Sequence, residues 1–430
     1  MSGSRASRPS TAKCRLPRVC RAHTRDWCEE PMSRMSRRTT DPIDELLIAA
    51  VRMDDPAGAH LSHALEAAVD WDKLTARAVR HRVMPLLCRR LKALGDSRVP
   101  RTWLAGLWRS YLYNEASVLR RIRALLPLFE ALRTRDVPIV VFKGPALAQL
   151  YGGTGMRQYD DLDVLVRPRD FEHAVALVRE HGFRPTFDPS PRQLRELIDY
   201  HGELPFRGAS GSLSLDLHCR LVEHAVSPRF AAHDWLATSR PFDLEGALVR
   251  ALGPAETLLM SCFHGVKHGW PTISSAVDVA MVMEAEGEKL EWASVVGLAA
   301  KTGMQGFLRE GLLVAHTVTG VALPDLSLGS QEAARRTADR LPAEPGTDLS
   351  MLQTATGLLG ALPSTQARLH YVFERLFRPA VNDWLSLRLP DRLYPLYAVL
   401  RPFRLATTRV LVDTARYRPA SGRRQAARTS

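Results

Sequence analysis

The chain has 430 residues, 45% of them hydrophobic and 24% charged, which is the balance of a folded protein with room for two or three domains and excludes a largely disordered one. Its longest apolar runs, such as Leu46–Val51 and Val137–Phe142, hold about six residues against the ~20 that a membrane span needs, so nothing is predicted to cross a bilayer. The formal charge of +13 sits at the two ends: residues 1–40 carry nine Arg and one Lys against three acids, residues 401–430 carry eight Arg against Asp413, and the body between holds 41 bases against 42 acids, which argues against a broad DNA-binding surface.

Residues 1–40 are predicted to be a disordered basic head. Cys14, Cys20, His23 and Cys28 lie there, but their spacing fits no common zinc module. The head lacks the apolar core of a secretory signal, and Met32 or Met35 is an alternative start. Cys88, Cys219 and Cys262 sit singly among apolar residues with no C-x-x-C, so the chain reads as reduced and cytoplasmic.

Residues 41–135 read as a helical region. Short amphipathic clusters such as Leu86, Leu87 and Leu91 come first, then one long helix from Trp103 to about residue 135 with a single buried stripe. The period changes over 136–252. Pro138–Phe142 is a strand by composition, Gly144–Tyr151 a helix, and Asp161–Val166 a second strand. A helix opens at Pro168 and ends at Gly182. Ser212–His218 alternates strictly, and 183–187, 202–207 and 240–251 supply further strand candidates. Residues 253–322 return to helix. Pro324, Gly329, Pro342, Pro345 and Gly346 mark 323–349 as a linker or loop, 350–405 is helical with Pro breaks, and 406–430 is a disordered basic tail. The predicted fold class is α/β (α+β), a mixed sheet between helical segments.

The chemistry concentrates in the sheet. On a strand, residues i and i+2 point the same way, so Asp161 and Asp163 project side by side, with Leu162, Val164 and Val166 facing the core. Two such acids need something cationic between them, and a hard divalent ion with oxygen ligands would serve. Asp216, isolated among aliphatic neighbours, is a third strand acid, and three converging carboxylates would form a two-metal phosphoryl-transfer site. The alternative for Asp-x-Asp at a strand mouth is turn or cap chemistry.

Lys143-Gly144, Arg157, Asp161-Leu162-Asp163-Val164-Leu165-Val166 and Leu215-Asp216-Leu217-His218, in that order, resemble the polymerase-β-type nucleotidyltransferase superfamily. More narrowly they resemble an uncharacterised bacterial nucleotidyltransferase family. His264-Gly265-Val266-Lys267-His268-Gly269-Trp270, Asp278 and the segment from Asp383-Trp384 to Leu400-Arg401-Pro402 extend the likeness over most of 40–405. The resemblance implies a polymerase-β-like core with two Mg²⁺ ions held by Asp161, Asp163 and Asp216. It implies transfer of a nucleoside monophosphate from an NTP to an acceptor, with pyrophosphate released. The acceptor is open among a small molecule, a sugar, a peptide and an RNA end, and no membrane partner is expected. One departure stands out. The superfamily's Gly-Ser or Gly-Gly phosphate turn is Lys143-Gly144-Pro145 here, so Lys143 would supply charge in place of the missing hydroxyl. A degenerate protein that binds nucleotide or a partner without turnover is the alternative this motivates.

Arg157 and His218 are read as contacts to nucleotide or acceptor. The alternatives are an Arg157 ion pair with Asp160 or Asp161, and a buried, hydrogen-bonded His218. His264 and His268 share a helix face and either join Asp278 in a separate metal site or pack against the α/β unit and line its cleft. His233-Asp234 is an HD dipeptide, faintly suggestive of a phosphohydrolase.

Overall fold

The computed structural model describes residues 41–411 apart from 209–212, 288–289, 329–331 and 342–350. Cys14, Cys20, His23, Cys28 and most of the basic tail therefore lie outside the described residues.

Seven strands form one mixed sheet: β1 (Ile139–Phe142), β2 (Asp161–Val166), β3 (Phe183–Pro185), β4 (Glu203–Gly208), β5 (Ser214–His218), β6 (Arg240–Leu244) and β7 (Ala247–Ala251), in the order β3-β4-β5-β2-β1-β7-β6. β2 runs parallel to β5 and β1 to β7; the other neighbours are antiparallel. The α/β class holds, and the strands fall at the stretches named as strands or strand candidates, with 240–251 folding as two, β6 and β7, rather than one.

The two-residue alternation divides the sheet between two cores. Ile139, Val141, Leu162, Val164, Leu204, Phe206, Leu215 and Leu217 face one side and pack under the long helix Arg101–Thr134 and the helix Phe171–Glu180. Val140, Phe142 and Leu165 face the other side and join a cluster built from the first short helices and from four helices between Pro254 and Thr319. Near that second core the strand ends carry polar side chains instead of aliphatic ones, and there the site forms.

The expected linker is partly a helix, Glu332–Arg340. Its sequence, EAARRTADR, is rich in helix formers, and Glu332 reaches Arg336 at 3.7 Å across one turn. The flanking Pro and Gly residues mask that signal in the sequence. Among the described residues no helix is long and apolar enough to cross a membrane.

Candidate active site

Parallel pairing of β2 with β5 sets Asp163 directly beside Asp216. His218 lies one pair further along the same face, next to Leu165. One ligand atom each from Asp163, Asp216 and His218 falls within 4.8 Å of the others, close enough together to share a metal ion. Asp161 shares the face but stands at the mouth of β2, opposite Ser214 and outside that group. The structure thus brings together two of the three predicted acids and adds a histidine.

Lys143 follows β1 directly and caps the helix Gly144–Leu150. Antiparallel pairing puts Phe142 opposite Asp163, so the lysine reaches that acid, with Nζ donating to Asp163 Oδ1 at 2.8 Å. His218 Nε2 lies 3.2 Å from the same oxygen, and its ring meets Phe142 edge-on at 5.0 Å. Lys143 carries a φ of +52°, a left-handed conformation that a side-chain-bearing residue seldom adopts. Gly144 is buried with its open side against the Tyr159 ring: a Cβ there would sit 3.3 Å from that ring. Space at Gly144 therefore serves packing against Tyr159.

The charges are unevenly balanced. Burial alone would raise the Asp163 carboxyl, but the Lys143 ammonium and His218 more than offset it and hold it well below the usual carboxylate range. Burial would likewise discharge Lys143, and Asp163 instead keeps its pKa raised. Asp216 has no such cation. Burial, then Glu203 and Asp161, push it up to about 7. Asp161 is raised by burial and by Asp163. The site carries more negative charge than its one ammonium neutralises, and its donors are mostly carboxylate oxygens, which suit a hard divalent cation.

Glu203 joins the site without any motif to mark it in the sequence. It faces His218 across β4–β5, with Oε2 4.0 Å from Nδ1. The signal was present: Leu204 and Phe206 are the buried members of an alternating strand, which turns Glu203 to the site face.

Arg157 makes neither of the expected ion pairs. Its Nε and Nη2 donate to the two carboxylate oxygens of Asp278 at 2.8 Å each, and Tyr151 Oη donates to Asp278 Oδ1 at 2.6 Å. Asp160 is exposed and paired with Arg82 instead. Asp278, so engaged, is no ligand beside His264 and His268; that separate metal site does not form. Their ring centroids lie 4.5 Å apart, tilted by 56°, on the helix Pro254–His268, and burial together with the Lys143 charge lowers the pKa of His264. His233 pairs with Glu256 at 2.9 Å, and Asp234 caps the helix Trp235–Thr238, so the HD dipeptide is structural.

Among solved structures, the chain is similar to the antibiotic-resistance factor ANT(2'')-Ia, with 15% identity over 43% of this chain and 91% of that one and a TM-score of 0.30. It is also similar to an antigenic nucleotidyltransferase-like protein from Paracoccidioides brasiliensis, with 13% identity over 48% and 93% and a TM-score of 0.28. No curated protein matches it. Residues 67–320, more than half of the chain and all seven strands, match a family described as uncharacterised nucleotidyltransferase, and the chain belongs to that family.

Proposed function

We propose that this protein transfers a nucleoside monophosphate from an NTP to an acceptor hydroxyl in a Mg²⁺-dependent reaction. The observation that carries the reading is the side-by-side register of Asp163 and Asp216 on parallel strands, with a surplus of buried negative charge around them. Asp163 and Asp216, with His218 beside them, would hold a Mg²⁺ ion, and Asp161 on the same face at the mouth of β2 would complete the set for one or two ions. The metal would supply neutralisation of the phosphate charge.

The chain's own residues would then do the following. Lys143 leaves Asp163 and turns to the phosphate tail. Asp216 accepts the proton of the acceptor oxygen as that oxygen forms its bond to the α-phosphorus. The bond from the α-phosphorus to the bridging oxygen breaks, and pyrophosphate departs with the electron pair. Arg157 is assigned to positioning, since two of its nitrogens are already taken by Asp278. The α/β core at 136–252 would carry this chemistry, with helical regions 41–135, 253–322 and 350–405 around it.

One observation favours the second reading, a binding module without turnover: Lys143 already supplies a cation to Asp163. The test is to incubate the purified protein with Mg²⁺, each labelled NTP and cell extract, and to identify labelled products by mass spectrometry. Asp163→Asn should abolish Mg²⁺-dependent pyrophosphate release while leaving the circular dichroism spectrum unchanged. Mg²⁺-dependent nucleotide binding with no transfer to any acceptor would select the second reading.

A further inference from the structure

Seventeen large apolar side chains are exposed among the described residues, and twelve of them lie between Leu369 and Phe403. The clustering sets them apart from the scattered exposed hydrophobics of an ordinary surface. On the helix Thr365–Phe377, Leu369, Val372, Phe373 and Leu376 follow three-and-four spacing, yet that helix fully buries none of its residues. On the helix Leu396–Leu411, Leu396, Val399, Leu400 and Phe403 repeat the spacing. The two helices pack against each other and leave much of both rows exposed, with Phe373 59% and Val399 60% exposed.

The charges around the patch indicate what covers it. Arg368, Arg375, Arg388 and Arg392 are exposed on the same segments, whereas Asp391 is the one exposed acid between residues 364 and 405. Glu374 is tied to Arg378, and Asp383 to Arg401 and Arg404. Residues 406–430 add six Arg against Asp413. A second copy docked through a two-fold axis would bring this cationic border near its own symmetry mate. An anionic lipid surface satisfies both features, since acyl chains accept Leu, Val and Phe while lipid phosphates accept guanidinium groups. No described helix can span a bilayer, so the helices would lie in the plane of the interface.

We propose that the helices Thr365–Phe377 and Leu396–Leu411 dock this protein on an anionic membrane surface, apolar side chains among the acyl chains and arginines on the headgroups. Arg375 lies 3.7 Å from Glu223, which pairs at 3.0 Å with Lys267 on the helix that carries His264 and His268. The inference goes beyond the proposed reaction and does not depend on it, so Asp163→Asn should bind membranes as the natural sequence does.

The experiment is cosedimentation of the full chain with vesicles of equimolar phosphatidylcholine and phosphatidylglycerol, and with vesicles of phosphatidylcholine alone. Binding to the mixed vesicles should exceed that to the neutral ones by about 10-fold or more. The triple variant Leu369→Ser, Phe373→Ser, Val399→Ser should lose about 10-fold or more of it at an unchanged melting temperature, because all three side chains are exposed. No binding to the mixed vesicles, or binding that the triple variant retains, would overturn the proposal. So would a dimer in light scattering that the triple variant dissociates, which would assign the face to a second copy.

Discussion

Lys143 combines a strained backbone with a part-buried ammonium 2.8 Å from Asp163. Non-glycine residues in such conformations cost about 1–3 kcal/mol and persist where their surroundings hold them. Lys143→Met should lower stability by about 3 kcal/mol, because Asp163 would keep its burial and lose its cation. The same variant should gain more thermal stabilisation from Mg²⁺ than the natural sequence does, since no resident ammonium competes. An equal or smaller gain would mean that the lysine does not occupy the cation's place. His81 gives a prediction of opposite character. It is fully buried, neither ring nitrogen has a hydrogen-bond partner, and burial with Arg77 and Arg80 pushes its pKa down to about 4 from 6.5. The folded chain therefore prefers the neutral ring, while the unfolded chain takes up a proton near 6.5. Stability from this group is complete above that value, is lost as pH falls toward 4, and levels off below, a loss of about 3 kcal/mol in all. His81→Leu should flatten the fall in melting temperature between about pH 7 and pH 5; an unchanged slope would assign it to other groups. At this scale the sequence was informative where spacing alone decides. The Asp161-x-Asp163 alternation fixed a common face, but nothing local could reveal that Asp278, 121 residues from Arg157, would claim its guanidinium.

Helices and strands were legible because their periods are local, whereas what covers a helix face is not. An apolar stripe reads the same whether it is packed, as in the helix Gln305–Thr319, or bare, as in Thr365–Phe377. The expectation of no membrane partner rested on run length, which tests for spanning and is silent about a face lying flat. Close helix contacts are equally hidden. Gly311, on Gln305–Thr319, faces the fully buried Cys262 on Pro254–His268, and a Cβ at Gly311 would lie 2.2 Å from Cys262 Sγ and 3.0 Å from its Cα. Replacing Gly by Ala within a helix gains up to about 1 kcal/mol of propensity. Here the overlap reaches backbone, so the helices must separate, at a cost of about 1–3 kcal/mol. Gly311→Ala should therefore lower the denaturation midpoint in urea. A midpoint that rises would show that the two helices have room to part.

Among the described residues, one enclosed ion pair ties the turn before β2 to the helical cluster. Tyr151 and Arg157 come from the segment between β1 and β2, and Asp278 from the helix Ile273–Glu286. The Arg157 and Asp278 side chains are only 12% and 8% exposed. Breaking such a pair from one side strands a buried charge, so Asp278→Ala should cost about 3–5 kcal/mol. Replacing both partners by apolar groups, as in Arg157→Met with Asp278→Leu, leaves no stranded charge and should recover most of that loss. The double variant also isolates the role of Arg157. If the arginine only positions the turn that leads into β2, nucleotide affinity in the refolded double variant should stay within about threefold of the natural chain. A stable double variant whose nucleotide affinity falls by about 10-fold or more would return Arg157 to the phosphates, and the salt bridge with Asp278 would then be a resting position rather than its task.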